Sequence, residues 1–210
     1  MLVLTAEWRA AQEWEREWWA AAWTPARAAI ERVWTDQVFR FLGLTPESFG
    51  PSPRIVDVGA GPTVRALWFA DAKVTAIEPL ADAYAALPCC ALAQCVKVYA
   101  QPGEKPVPEL AGCADAVTCI NALDHAQDAR QFIAALASYL RPGGALLLSV
   151  DLHRVCPGHP LALTAEEVDA ALAAEGLAVE SRKAGMPPAF GRSCWGSGVA
   201  VSWICRRPAP

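Results

Sequence analysis

The stretch Val56-Asp57-Val58-Gly59-Ala60-Gly61-Pro62-Thr63 decides the fold. An apolar run ends at Val58 and opens into two glycines, with Asp57 two positions before the first, and a later apolar run ends at a second acid, Glu78. In a parallel sheet, ligands collect beyond the carboxyl ends of the strands, near the point where strand order reverses. Gly59 and Gly61 let the backbone approach such a ligand and turn sharply. A dinucleotide fingerprint G-x-G-x-x-G needs a third glycine at position 64, where Val64 stands. Pro62 also removes an amide that would cradle a pyrophosphate. The loop therefore suits a nucleoside that carries positive charge and no phosphate. Asp57, at the strand end, is placed to hold an ammonium group directly or through water, and Glu78 to accept both hydroxyls of a ribose.

Outward from this loop the chain alternates. Strands are expected over Arg54–Val58, Lys73–Glu78, Cys95–Tyr99, Asp115–Asn121 and Ala145–Asp151, and helices over Pro62–Ala70, Leu80–Leu87 and Ala129–Leu140, the last stopped by Arg141-Pro142-Gly143-Gly144. Thr164–Glu175 reads as a helix opened by a capping box of Thr164 with Glu167. The final strands, Leu177–Lys183 and Gly198–Arg206, have no helix between them, so they pair as an antiparallel edge on a mostly parallel sheet. Before the sheet, residues 6 to 42 read as helix, with Thr24 capping a second helix that begins at Pro25. Six of the nine Trp fall here, and Trp14/Trp18 and Trp19/Trp23 are spaced to stripe helical faces. Two roles are open to these indoles: packing against the sheet, or an aromatic lid that completes a ligand pocket. The expected organisation is a helical lid or cap over 1–44 and a nucleoside-binding domain over 54–207.

The 210 residues are 54% hydrophobic and 19% charged, which excludes disorder and allows a proper core. A net charge of −4 and a pI near 5.4 leave no general footprint for nucleic acid. No apolar run reaches membrane-spanning length and the N-terminus lacks a basic leader, so a cytoplasmic enzyme without a membrane partner is expected. The eight Cys contain no C-x-x-C pair and are read as structural thiols, with no metal expected. Cys156 and Cys194, in loop-like sequence, are the minor candidates for an active thiol.

Taken together, Asp57-Val-Gly-Ala-Gly61, Ile77-Glu78-Pro79, Gly103-Glu104, Asp115-Ala-Val-Thr-Cys-Ile-Asn121 and Leu140-Arg-Pro-Gly-Gly144 resemble the class I S-adenosylmethionine-dependent methyltransferases of the small single-domain kind, over residues 54 to 206. The resemblance implies a Rossmann-like α/β fold: a seven-stranded sheet of order 3-2-1-4-5-7-6, strand 7 antiparallel, with helices on both faces. It implies S-adenosylmethionine as cofactor. By the same resemblance the backbone of Gly59, Ala60 and Gly61 contacts the methionyl part and Glu78 the ribose. Pro79 then packs near the adenine, Glu104 or a neighbour sits beside the adenine amino group, and Asn121 faces the methionyl ammonium. Thr63 departs from the family, many of whose members carry a further glycine there, and this affects the path of the loop.

Methyl transfer from a sulfonium needs an in-line nucleophile, and a base only where the acceptor must lose a proton. Candidates lie just past the fourth and fifth strands: His125 and His153 as bases, then His159, with Arg154 or Arg192 to hold an acceptor anion. The motifs of DNA-base amino- and C5-methylation are absent. The expected acceptor is O or N of a small molecule. The alternatives are a macromolecule (RNA, protein or a modified DNA base) and a non-catalytic nucleoside-binding module. An aromatic cage for a quaternary amine at the Trp-rich segment would favour an amine acceptor.

Overall fold

The structure is a computed structural model that describes residues 3–185 and 198–209. Two helices precede the sheet. Helix α1 (Ala6–Ala22) is capped by Thr5, whose hydroxyl accepts the Trp8 N–H, and α2 (Pro25–Leu42) by Thr24, whose hydroxyl accepts the Arg27 N–H. Gly43, at φ 88°, closes α2 in the left-handed region that a side chain would resist.

Seven strands follow: β1 (Arg54–Val58), β2 (Lys73–Ile77), β3 (Lys97–Tyr99), β4 (Ala114–Ile120), β5 (Leu140–Leu152), β6 (Ala178–Ala184) and β7 (Val199–Arg206). Their order is β3-β2-β1-β4-β5-β7-β6, parallel except for β7, which runs antiparallel to both neighbours. The expected order and edge are therefore observed. Between the strands lie α3 (Ala81–Ala85), α4 (Ala129–Tyr139) and α5 (Ala165–Ala174), the last opened by the anticipated Thr164–Glu167 capping box. Central strands β1 and β4 are apolar and almost wholly buried, as a parallel sheet covered on both faces requires. One face packs against α4 and α5 around Leu136, Leu146 and Trp203; the other packs against α2 through Val38, Phe39 and Leu42.

Two expected elements differ. No α-helix spans Pro62–Ala70; a 3-10 turn, Arg65–Trp68, stands there instead. Pro62 supplies no N–H, Val64 sits at φ 48°, a left-handed conformation that a β-branched residue resists, and the Ala66 N–H is taken by the Asp57 carboxylate. Strand β5 begins at Leu140 rather than Ala145. The Pro142-Gly143-Gly144 stretch does not end pairing, because the Gly143 N–H donates to the Arg207 carbonyl and the Arg207 N–H to that of Gly144. The remaining boundaries fall within about two residues of expectation. The Leu80–Leu87 helix, trimmed by one residue at its start and two at its end, becomes the five residues of α3. No helix among the described residues is long and apolar enough to cross a membrane.

Candidate active site

The glycine loop leaves β1 with Gly59 at φ 68° and Gly61 at φ 56°. A methyl group on Gly59 would lie 2.3 Å from the Ala122 Cβ, so the loop is pressed against the segment after β4. One on Gly61 would meet nothing within 4 Å and would project into open space. That space is a crevice over the carboxyl ends of β1, β2 and β4. Its walls include Gly59, Ala60, Gly61, Glu78, Pro79, Glu104, Asn121 and His125, so seven of the eight residues expected at the cofactor and one of the candidate bases converge here.

Glu78 follows β2 directly and is 5% exposed. Its carboxylate oxygens accept the Gly61 and Leu80 N–H groups, each at 2.9 Å. Burial pushes this carboxyl up to about 7, against the pull of those two amides, and the neighbouring Glu15 adds to the rise. Two acceptor sites on the carboxylate remain for a ligand's hydroxyls. Glu104 is also buried; it accepts the Gln127 N–H at 2.7 Å, and burial raises its pKa. Asn121 follows β4 directly, at φ 57°, with its N–H donated to the Ser149 carbonyl.

Asp57 and His153 are not among the residues lining the crevice. Asp57, 1% exposed, lies under the loop: Oδ2 accepts the Ala66 N–H at 3.0 Å and Oδ1 the Thr118 hydroxyl at 2.7 Å. The strand register dictates this, since Asp57 of β1 pairs with Thr118 of β4. Desolvation raises its pKa, opposed by these bonds. Asp57 thus braces the loop, and the ammonium-holding role expected for it has no support in its position.

All three His converge on one residue that the sequence reading passed over, Asp124, which is fully buried. Its Oδ2 lies 2.6 Å from His159 Nδ1, 3.1 Å from His153 Nε2 and 3.9 Å from His125 Nε2. Burial alone would raise the Asp124 carboxyl, but the three imidazoles hold it well below the usual carboxylate range. The bond to Asp124 raises the pKa of His153, whose Nδ1 also lies 2.6 Å from the Arg154 carbonyl oxygen. With an acceptor at each ring nitrogen, His153 is arranged as an imidazolium. His125 lines the crevice, its ring centre 4.1 Å from that of His159 and its Nδ1 3.8 Å from Glu15.

Helix α1 supplies the other wall with Trp8, Gln12, Glu15 and Trp19. The Trp19 indole N–H donates to Glu15, four residues back, so the striped face carries a carboxylate as well as indoles. Glu15 was missed because a Glu on an amphipathic helix reads as solvated. Its spacing from Trp19 was the available signal. Arg154 is exposed; Arg192 and Cys194 lie outside the described residues. Burial pushes the Cys95 and Cys205 thiols up to about 12, as inert structural thiols require.

Residues 26–190 match a family profile described as a methyltransferase domain. The ubiquinone biosynthesis O-methyltransferase of Xanthomonas campestris pv. campestris (strain B100) is 35% identical over 130 residues, which cover 60% of this chain and 54% of the relative. The chain therefore spans about half the length of the curated relatives it matches. Among solved structures, the [4+2]-cyclase SpnF superposes with a TM-score of 0.64 at 18% identity, covering 84% of this chain and 81% of that one. The 1,6-didemethyltoxoflavin-N1-methyltransferase of Burkholderia thailandensis, solved with that substrate and S-adenosylhomocysteine, superposes at 0.61 and 17% identity, covering 99% and 93%. At these identities the two structures share the fold; they do not speak for the reaction.

Proposed function

Since the chain belongs to the methyltransferase-domain family, whose cofactor is S-adenosylmethionine, we propose that it transfers the methyl group to an oxygen of a small-molecule acceptor, with His125 taking the acceptor's proton. The observation that carries this reading is the charge of the crevice. Among the described residues, Glu15, Glu78 and Glu104 line it against a single guanidinium, Arg65, and Arg65 is already bound to Glu31 of α2 at 3.0 Å. Such a lining suits a sulfonium with an ammonium group and repels a phosphate. The missing amide at Pro62 argues the same way.

In this reading S-adenosylmethionine supplies an electrophilic methyl on sulfur. Gly59, Ala60 and Gly61 hold its methionyl part by backbone contact, and Glu78 receives the ribose hydroxyls. Pro79 and Glu104 border the adenine, and Asn121 faces the ammonium end. Asp57 acts at one remove by fixing the loop. His125 is the only His lining the crevice, and Glu15 and the His159 ring flank it, so it is the imidazole placed to accept a proton from a bound hydroxyl. Helix α1 forms a cap over the site, and residues 1–44 act as its lid. Oxygen is preferred to nitrogen because the relatives at 35% identity are named O-methyltransferases. A cytoplasmic location goes with this reading, since the seven Cys among the described residues are all free thiols.

The test is a screen of small hydroxylated acceptors that reads S-adenosylhomocysteine release, followed by variants. His125→Gln should lower turnover about 10²–10⁴-fold with cofactor binding retained, the usual worth of a positioned base. His153→Gln, away from the crevice, should cost less than about tenfold. Equal losses in the two variants, or no turnover of any hydroxyl acceptor by the wild-type chain, would sink the assignment.

A further inference from the structure

Beyond the methyl-transfer reading, we propose that a second cavity, across the glycine loop from the crevice, binds a small carboxylate with a flat aromatic body. The cavity holds about 320 Å³, within the range of roughly 300–1,000 Å³ for small-molecule sites. It lies between α2, the Arg65–Trp68 turn and the chain just after α3. The loop after β1 divides it from the crevice. Of the two spaces, Gly59 and Gly61 line only the crevice, Val64 and Leu67 only the cavity, and Thr63 stands in the wall they share. Trp23 and Trp68 also line the cavity. Their indole N–H groups already donate, to the Pro88 carbonyl at 2.7 Å and to Asp36 at 2.9 Å. What the two rings leave to a ligand is carbon surface, which suits an aromatic partner.

The charge of this cavity is opposite to that of the crevice. Among the described residues no Asp or Glu lines it, whereas Arg32 and Arg65 do. Arg65 is engaged by Glu31 and Thr35 and stacks on Trp34. The carboxylates nearest Arg32 along α2, Glu31 and Asp36, have guanidinium partners of their own in Arg27, Arg65 and Arg40. Arg32 is exposed and makes no ion pair among the described residues. An unpaired guanidinium at an apolar cavity offers a fork of donors that matches a carboxylate. Thr63 is a second, independent sign. Its hydroxyl oxygen is buried and has no hydrogen-bond partner, and a buried polar group left unpaired is costly. Glycine, which many members of the methyltransferase family carry at this place, would leave no such group to satisfy. A ligand oxygen in the cavity would accept from it.

The test is calorimetric titration of the full chain with 2-naphthoate as the probe, with and without saturating S-adenosylhomocysteine. One equivalent should bind in both cases. 2-Naphthamide, which has the same shape without the charge, should bind about tenfold more weakly. Arg32→Gln changes an exposed side chain, keeps the fold, and should weaken 2-naphthoate about three- to tenfold. Absence of 2-naphthoate binding at millimolar concentration, or an affinity unchanged in Arg32→Gln, would overturn the site. So would full displacement of 2-naphthoate by S-adenosylhomocysteine, which would place the probe in the crevice. The comparisons with the amide and with Arg32→Gln use no cofactor, so they stand or fall apart from the methyl-transfer reading.

Discussion

Glu78 and Asp124 are both almost fully buried and both stand just beyond the ends of sheet strands, yet their partners leave them shifted in opposite directions. Glu78 is met by two backbone amides, which are neutral dipoles. A hydrogen bond to a charged group contributes about 1.5–3 kcal/mol, not enough to cancel the several kcal/mol that removing a carboxylate from water costs. Its carboxyl therefore rises to about 7. Asp124 is met by imidazoles, which can carry a full charge, and it stays ionised. The crevice acid is thus left wanting further donors, which a nucleoside ribose has, while the cluster acid takes His153 and His159 of its own chain at one oxygen and keeps the other buried without a hydrogen-bond partner. One region is built to receive a ligand; the other is organised before any ligand arrives.

The largest expected effect falls on the Asp124 cluster. Asp124→Ala removes the common partner of His153 and His159 and should destabilise the fold by about 3 kcal/mol. For a chain of this size that is a fall of roughly 10 °C in Tm. A loss below about 2 °C would show that the cluster contributes little to the fold and would dissolve the contrast. Next is the pH dependence of the cofactor-free protein. Between about pH 4.5 and 7 the folded chain keeps a proton on Glu78 that the unfolded chain has lost, so stability falls as pH rises, by roughly 3 kcal/mol in all. The raised pKa of His153 acts in the same direction, its contribution present below the unfolded value and lost at higher pH. Asp124 acts in reverse: its contribution is present above about pH 4 and is lost as pH falls further. Urea unfolding at pH 5 and 7.5 should find the protein more stable at pH 5, and Glu78→Gln should remove most of the slope. Higher stability at pH 7.5 would break the assignment of Glu78.

The same contrast explains what could be read from the sequence. The crevice is built from backbone at strand ends, and strand ends follow from apolar runs and glycines. Gly59, Gly61 and Glu78 were therefore legible in the chain itself, while the sheet order and the place of Asn121 came from the resemblance to the methyltransferases. The cluster is built from side chains 28 to 35 residues apart, joined only by the path of the loop after β5. Its hub, Asp124, looks like any polar residue in Asn121-Ala-Leu-Asp124-His125. Asp57 shows a related limit. Its position at a strand end was legible, but not which way the carboxylate turns, because that depends on the register with Thr118 of β4. The Arg65–Trp68 turn was misread as helix for a similar reason, since the donors a helix would use internally are claimed by Asp57 from the neighbouring strand end. Glu15 was hidden because a helix face can be solvated or covered, and only packing of α1 over the crevice decides which.

The smallest expected effect is the most direct probe of the crevice. Glutamine at position 78 keeps one carbonyl acceptor, but its amide hydrogens would face one of the two N–H groups now bound, Gly61 or Leu80. It also loses the charge that ribose hydroxyls would donate to. Glu78→Gln should therefore weaken S-adenosylhomocysteine binding about 10–100-fold, in line with about 1.5–3 kcal/mol for bonds to a charged acceptor. The wild-type carboxyl must give up its proton to accept both hydroxyls, so wild-type affinity should tighten as pH rises from 6 to 8 through the raised value, and the variant's should not. Calorimetric titration at those two pH values measures both effects together. A wild-type affinity that ignores pH, alongside a variant that binds as tightly, would mean that the ribose is held elsewhere and that Glu78, like Asp57, serves only the loop.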